Sequence, residues 1–271
     1  MVKMTKQESL DLKNKGYVIL KNKVTSEWIP KLSKGIDSAF IEHRKTQIKN
    51  NNDIKTGGVA LHALLSDGIF LEFLDYLVSI GFIDELKNEY FKSNCILNSL
   101  SALDNLPNQP NFSSVVHRDL RFYSRNLPTM VNCLLMVDDF TIENGGTYLL
   151  PYSHLKEEKP TDEYFFNNAI QAVGKKGDLL VFDSNVWHSS APNTTQTSRK
   201  AIPITISRSF MKQLLDYPRA MGYDKIETFN NSLQQFLGYH SRVPNRELVL
   251  VRDSIASRTY LKNDIYWNML L

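Results

Sequence analysis

The sequence predicts a mainly β protein with flanking helices, built on a double-stranded β-helix, or jelly-roll, core. Three observations lead there. Residues 93–209 break into short apolar runs separated by turn residues, whereas the segments on either side show apolar residues at helical spacing. Phe, Tyr and Trp number 14, 12 and 3, which favours a β-rich interior with polar-tipped side chains near a pocket. At 271 residues and 42% hydrophobic, the chain can bury one sizeable core, so 1–271 reads as a single domain with a helical region 1–92, a core 93–209 and a helical or irregular region 210–271.

The elements follow in chain order. Trp28, Ile29, Leu32, Ile36 and Phe40 recur at helical spacing, and Gly16-Tyr17-Val18-Ile19-Leu20 is strand-like, so 5–43 reads as two helices around a short extended segment. A polar loop runs from Asn50 to Gly58, and Phe70, Phe73, Leu74, Leu77, Ile80 and Leu86 mark a second helical region at about 68–92. Eight strands are expected at 94–100, 115–121, 130–137, 147–151, 169–173, 178–182, 188–190 and 201–207. Eight strands suit a jelly roll of two packed sheets whose open mouth holds a site. A further helix is expected around 228–237.

Several function classes are excluded on composition. No run of 18 apolar residues exists and the N-terminal residues lack an apolar h-region, so neither a membrane span nor a signal peptide is expected, and a cytoplasmic protein follows. Only Cys95 and Cys133 occur, both in apolar segments where a reduced, buried thiol is ordinary. The net charge of +3 comes from dispersed lysines, which offers little to nucleic acid.

The chemistry concentrates in Val115-Val116-His117-Arg118-Asp119-Leu120 and in His188. Side chains alternate along a strand, so His117 and Asp119 face one side while Arg118 faces the other. Two imidazoles and one carboxylate make the 2-His-1-carboxylate set that binds Fe(II) and leaves coordination positions open for a co-substrate and O2. His188 closes the apolar run Leu179 to Phe182 and a short turn, and Arg199 lies 11 residues beyond it, far enough for the chain to reverse through Ala191-Pro192-Asn193-Thr194. A guanidinium is suited to two-pronged capture of a carboxylate, as anchoring the far end of 2-oxoglutarate requires. Ser190, on the face of His188, is placed to add a hydroxyl to that carboxylate; Asn132, on the face of Leu134, reads either as lining the pocket beside the co-substrate or as a half-buried Asn satisfied by backbone. Arg121 continues the His117 and Asp119 face. Two readings of it stay open: an ion pair with Asp138 or Asp139, or recognition of an anionic group on the primary substrate.

Taken in order, Leu12 to Leu20, His117-Arg118-Asp119, Asp138 to Gly146, Pro151-Tyr152-Ser153-His154 and His188 to Asn193 leading to Arg199 resemble the phytanoyl-CoA dioxygenase family of Fe(II)/2-oxoglutarate-dependent oxygenases. The resemblance covers about residues 8–210. It implies a cupin-like jelly roll, Fe(II) on His117, Asp119 and His188, 2-oxoglutarate held by Arg199, and hydroxylation of an unactivated C–H bond of a small metabolite with release of succinate and CO2. The chain departs from the family where Tyr152 replaces the usual glycine and Leu134 replaces an aromatic residue, which bears on a loop and on pocket shape.

Rival readings are weaker. His117-Arg118-Asp119-Leu120 also looks like a kinase catalytic loop, but that loop needs Asn five residues after the Asp and position 124 is Ser124; the glycine-rich loop and Asp-Phe-Gly are absent as well. Halogenation needs a small residue where Asp119 stands. A non-catalytic jelly-roll protein binding a metal or ligand is the alternative from another class, although it gives no reason for Arg199 and Ser190 to stand in register with a full ligand set. The primary substrate is not legible, and His43, His62, His154 and His240 read as structural or surface residues.

Overall fold

The computed structural model describes residues 3–52, 58–109, 113–124 and 127–241, together with the backbone of two short strands at 257–260 and 267–270. Part of the polar loop (53–57) and most of the chain after 241 lie outside the described residues. Helix α1 (Lys6–Lys15) starts at a capping box, Thr5 accepting from the Glu8 N–H while the Glu8 carboxylate accepts from the Thr5 N–H. Strand β1 (Tyr17–Leu20) follows, then α2 (Trp28–Lys49), β2 (Val59–Ala60), α3 (Gly68–Ser79), α4 (Phe82–Glu85) and a π turn, Leu86–Phe91. The core contains β3 (Cys95–Leu100), β4 (Ala102–Asn105), β5 (Met130–Met136), β6 (Tyr148–Leu149), α5 (Asp162–Asn168), β7 (Ile170–Gln171), β8 (Leu179–Asp183), β9 (His188–Ser189) and β10 (Arg199–Arg208). Helices α6 (Tyr217–Met221) and α7 (Asn231–Leu237) come next, and β11 (Ser257–Tyr260) pairs with β12 (Trp267–Leu270).

The larger antiparallel sheet runs β1-β8-β5-β10-β4-β2, with β3 also on β10, and the smaller runs β7-β6-β9. Strand β5 shows how they stack. Val131, Cys133 and Leu135 belong to the large apolar cluster shared with the helices, whereas Leu134 and Met136 join Leu180, Phe182, Leu149 and Ala201 in a second cluster between the sheets. Because β5 is buried on both faces, its sequence is a nearly continuous apolar run rather than an alternating one. This sheet-rich antiparallel core with flanking helices is the jelly-roll class expected. Cys95 and Cys133 are free and buried, and burial pushes both thiols up, so neither is reactive at neutral pH.

Several expectations are corrected. The 115–121 segment is not a strand: His117 forms one antiparallel bridge to His188, with N···O distances of 3.0 and 2.8 Å, and then the Leu120 N–H donates instead to Ser184 O at 3.1 Å, which turns the chain off the ladder. The 147–151 and 169–173 runs shrink to two-residue strands, and β2 and β4 were not anticipated because each is short and β4 ends in the polar Asp104-Asn105. Helix α5, capped by Thr161, lies between the strands expected at 147–151 and 169–173, where no helix was expected. The expected helix at 228–237 begins only at Asn231, after the Asn230 cap, and β11 with β12 adds strands where a helical or irregular tail was expected.

Two loop residues place the N-terminal layer against the site wall. Gly16 ends α1 at φ 87°, and a Cβ there would stand 2.5 Å from His154 Nδ1 and 2.6 Å from Val186 Cγ2. His154 in turn pairs through Nε2 with the Lys13 carbonyl at 3.0 Å, the structural role expected of it. Tyr152 takes φ 64°, a conformation that costs a tyrosine and not a glycine, which is why glycine suits that position better. Gly16→Ala is expected to destabilise the protein by roughly 1–3 kcal/mol, from left-handed strain plus the clash. A thermal-denaturation midpoint unchanged from wild type would show that Gly16 is not a tight spacer.

Candidate metal centre

His117, Asp119 and His188 converge even though only His188 lies on a regular strand. One ligand atom from each lies within 4.8 Å of the others, and among the described residues no second group of three His, Cys, Asp or Glu side chains does this. His117 Nε2 is 3.6 Å from Asp119 Oδ1, and His188 Nε2 is 3.6 Å from Asp119 Oδ2. Each ring is oriented by its own backbone: His117 Nδ1 lies 2.7 Å from Val115 O and His188 Nδ1 lies 2.9 Å from Val186 O. A carbonyl only accepts, so each Nδ1 carries a proton and donates, and Nε2 is the ring nitrogen left to face the carboxylate. A donor set of two imidazole nitrogens and one carboxylate fits a divalent transition metal.

Burial is graded across the three. The His188 side chain is 8% exposed, while His117 and Asp119 are 33% and 36% exposed, so the site opens to solvent on the loop side. Phe182 meets the His188 ring edge-on at 4.9 Å and closes the inner side. Burial pushes the His188 imidazole below its ordinary value, with the Asp119 charge acting in the opposite sense, so the ring stays neutral at neutral pH. The Arg118 guanidinium lies over the Trp187 ring at 5.1 Å.

Arg199 is 1% exposed at the start of β10. Its Nη2 donates to Gly145 O at 2.9 Å, and the guanidinium carbon lies 3.9 Å from the Phe140 ring centre. Nη1 is buried and has no hydrogen-bond partner among the described residues. An arginine with one arm held and one arm unsatisfied in a dry interior fits a site built to take a carboxylate. Burial lowers the guanidinium to about 10, with Asp138 and Asp104 opposing, so it remains charged at neutral pH. Gly145 permits this packing, since a Cβ there would lie 2.4 Å from both Ala191 O and Asn105 Nδ2.

The other expected residues fall less simply. Leu134 is buried in the inter-sheet cluster beside Met136 and Phe182. Ser190 is half-buried, donates its N–H to Ser113 O at 2.8 Å and places Oγ 3.1 Å from Ser113 Oγ. Asn132 does not stand free to meet a co-substrate: Nδ2 donates to Asp119 Oδ2 at 2.7 Å and Ser184 Oγ at 3.0 Å, and Oδ1 accepts from Thr205 Oγ1 at 2.9 Å. Arg121 is exposed and forms no ion pair with a described residue. The expected Asp138 or Asp139 pairing is overturned, because Asp138 accepts from the Lys200 N–H at 2.7 Å and Asp139 pairs with Lys175 Nζ at 2.9 Å. Phe140, Gly145, Ser184 and Thr205 were missed. The Asp138 to Gly146 segment held a signal for the first two; the cross-strand register that brings Thr205 to Asn132 is not written in local sequence.

Comparison with known proteins agrees with this picture. A family model described as phytanoyl-CoA dioxygenase matches residues 12–201. An uncharacterized protein of Mycobacterium tuberculosis is 33% identical over 192 residues, covering 69% of this chain and 68% of the relative. The dioxygenase trt7 of Aspergillus terreus is 24% identical over 258 residues, 89% of this chain and 86% of the relative. Among solved structures, the non-heme alpha ketoglutarate dependent carbocyclase SnoK from nogalamycin biosynthesis overlays with a TM-score of 0.60 at 13% identity, covering 80% of this chain and 90% of that one. The epimerase SnoN in complex with Fe3+, alpha ketoglutarate and nogalamycin RO gives 0.56 at 15% identity, with 75% and 83% coverage.

Proposed function

The chain belongs to the phytanoyl-CoA dioxygenase family of Fe(II)/2-oxoglutarate-dependent oxygenases, and from that premise we propose that it hydroxylates an unactivated C–H bond of a small metabolite at the site built by His117, Asp119 and His188. The observation that carries this is the pair of backbone-locked imidazoles presenting Nε2 toward one carboxylate. These three side chains would hold the iron. Bound iron with 2-oxoglutarate supplies O2 activation: one oxygen atom goes to the keto acid, giving succinate and CO2, and the other to the substrate, R–H becoming R–OH.

What the chain itself does is orient and exclude. Arg199 would hold the distal carboxylate of 2-oxoglutarate through the unpartnered Nη1, in an interior dry enough to strengthen a charge-assisted bond. Phe140 supports the guanidinium from one side and the Gly145 carbonyl fixes its other arm. Phe182 and Leu134 keep the inner wall apolar, which keeps water from the inner side of the reacting centre.

Purified protein incubated aerobically with Fe(II), 2-oxoglutarate and pools of small metabolites is expected to release succinate and CO2 one-for-one with a product heavier by one oxygen. A protein that binds 2-oxoglutarate and never turns it over with any pool is the non-catalytic alternative, and that outcome would overturn the proposal.

A specificity role is proposed for Arg121 as well. Arg121, two residues beyond Asp119 and without an ion-pair partner among described residues, suits an anionic group on the primary substrate. Arg121→Gln is expected to raise KM for the primary substrate by roughly 10-fold or more, the loss of one charge-assisted hydrogen bond, and to leave KM for 2-oxoglutarate unchanged. An unchanged substrate KM would remove Arg121 from recognition.

A further inference from the structure

The two histidine ligands are locked by their own backbone carbonyls, but Asp119 has no such local lock. It sits in a bend and its side chain is 36% exposed. Its contact to the rigid part of the fold is Asn132, 5% exposed on the inward face of β5. The direction of the hydrogen bonds is decided by chemistry. An ionised carboxylate only accepts, so the Nδ2 end of the Asn132 amide must face Asp119 and the carbonyl end must face away. On that far side Thr205 supplies the donor, at 2.9 Å. Thr205 and Asn132 are directly opposed in the β5–β10 register, so the ladder itself holds the pair, and Ser184 completes the amide at 3.0 Å.

We infer that the Thr205–Asn132 pair is the positioning device for Asp119, and that by holding Oδ2 it leaves Oδ1 as the oxygen offered to the cation. This rests on the triad acting as the metal centre. A carboxylate that ligates through one oxygen occupies one coordination position, and through both it occupies two. A centre that must also accept two oxygens of a 2-oxo acid and then O2 has no position to lose. Asn132 is therefore a positioning residue acting through Asp119, and not a contact to the co-substrate.

The test uses Co(II) as the probe, titrated anaerobically into the metal-free wild type and the Asn132→Leu, Thr205→Val and Thr205→Ser variants, with circular dichroism confirming that each is folded. Asn132→Leu is expected to bind Co(II) about 10- to 100-fold more weakly, the usual loss for an outer partner of a metal ligand. Its visible Co(II) spectrum is expected to change, because a second Asp119 oxygen then takes a position that the wild type leaves to water. Thr205→Val should move both readouts the same way by a smaller amount, and Thr205→Ser should restore them. Wild-type affinity and spectrum in folded Asn132→Leu or Thr205→Val would overturn the inference, and if Asn132→Leu does not fold, the Thr205 variants decide alone. Weaker affinity with an unchanged spectrum keeps the positioning role and overturns the one-oxygen clause. Asp119→Ala separates this from the premise: wild-type Co(II) binding in that variant removes the metal-centre assignment itself, whereas its loss there with no effect at Asn132 and Thr205 removes only the positioning.

Discussion

Asp119→Ala is expected to lose Fe(II) affinity by more than roughly 100-fold, beyond what losing an outer partner of a ligand costs, and to show no detectable 2-oxoglutarate turnover. The reason is geometric. Asp119 is the one anionic donor in the set, and its two oxygens stand 3.6 Å from His117 Nε2 and His188 Nε2, so removing it leaves two neutral imidazoles to hold a dication. The fold is expected to persist. The side chain is 36% exposed and lies outside any regular strand, and its deletion strands one Asn132 N–H while the other still donates to Ser184 Oγ. A thermal transition within a few degrees of wild type, together with absent metal binding measured by calorimetry, is the predicted pair of results. Hydroxylation at wild-type rate in Asp119→Ala would end the assignment.

Arg199→Met, which keeps much of the buried volume, is expected to raise KM for 2-oxoglutarate by roughly 10- to 100-fold, from the 1.5–3 kcal/mol that a charge-assisted hydrogen bond contributes. Some stability is also lost, because the bond to Gly145 O and the packing over Phe140 go with the guanidinium. Saturating 2-oxoglutarate distinguishes the two effects. If Arg199 acts by binding, the rate recovers at saturating co-substrate and kcat stays near wild type, as expected for a contact made equally in the ground and transition states. An unchanged KM would mean that another cation holds the carboxylate.

The centre of the large sheet was legible because β5 and β8 are mostly apolar runs buried on both faces, while β10 carries Ala201, Ile202, Ile204 and Ile206 between polar residues. The small sheet was not legible at the same precision. Its strands are two residues long, and their pairing is decided by partners far away in sequence, such as Leu149 with His188. The same contrast runs through the site. Alternation brought His117 and Asp119 to one side over two residues, but extrapolated to Arg121 it presumed a strand that the Leu120 to Ser184 bond interrupts. Asn132 was read on the face of Leu134, and its bond to Asp119 was not foreseen, since nothing local indicates that Asp119 would lie within hydrogen-bond reach. Arg199 was singled out through its distance from His188, whereas the Phe140 ring beneath it depends on how the Asp138 to Gly146 turn folds back.

The arrangement proposed for the site is one cation on His117, Asp119 and His188, with 2-oxoglutarate reaching from it to Arg199. Its most direct test is a crystal of the wild-type protein grown anaerobically with Fe(II) and 2-oxoglutarate, with diffraction collected at the iron absorption edge. The predicted result is a single anomalous peak at bonding distance from His117 Nε2, His188 Nε2 and one Asp119 oxygen, with the distal carboxylate of 2-oxoglutarate against Arg199 Nη1. An iron peak on other residues, or 2-oxoglutarate bound away from Arg199, would contradict it.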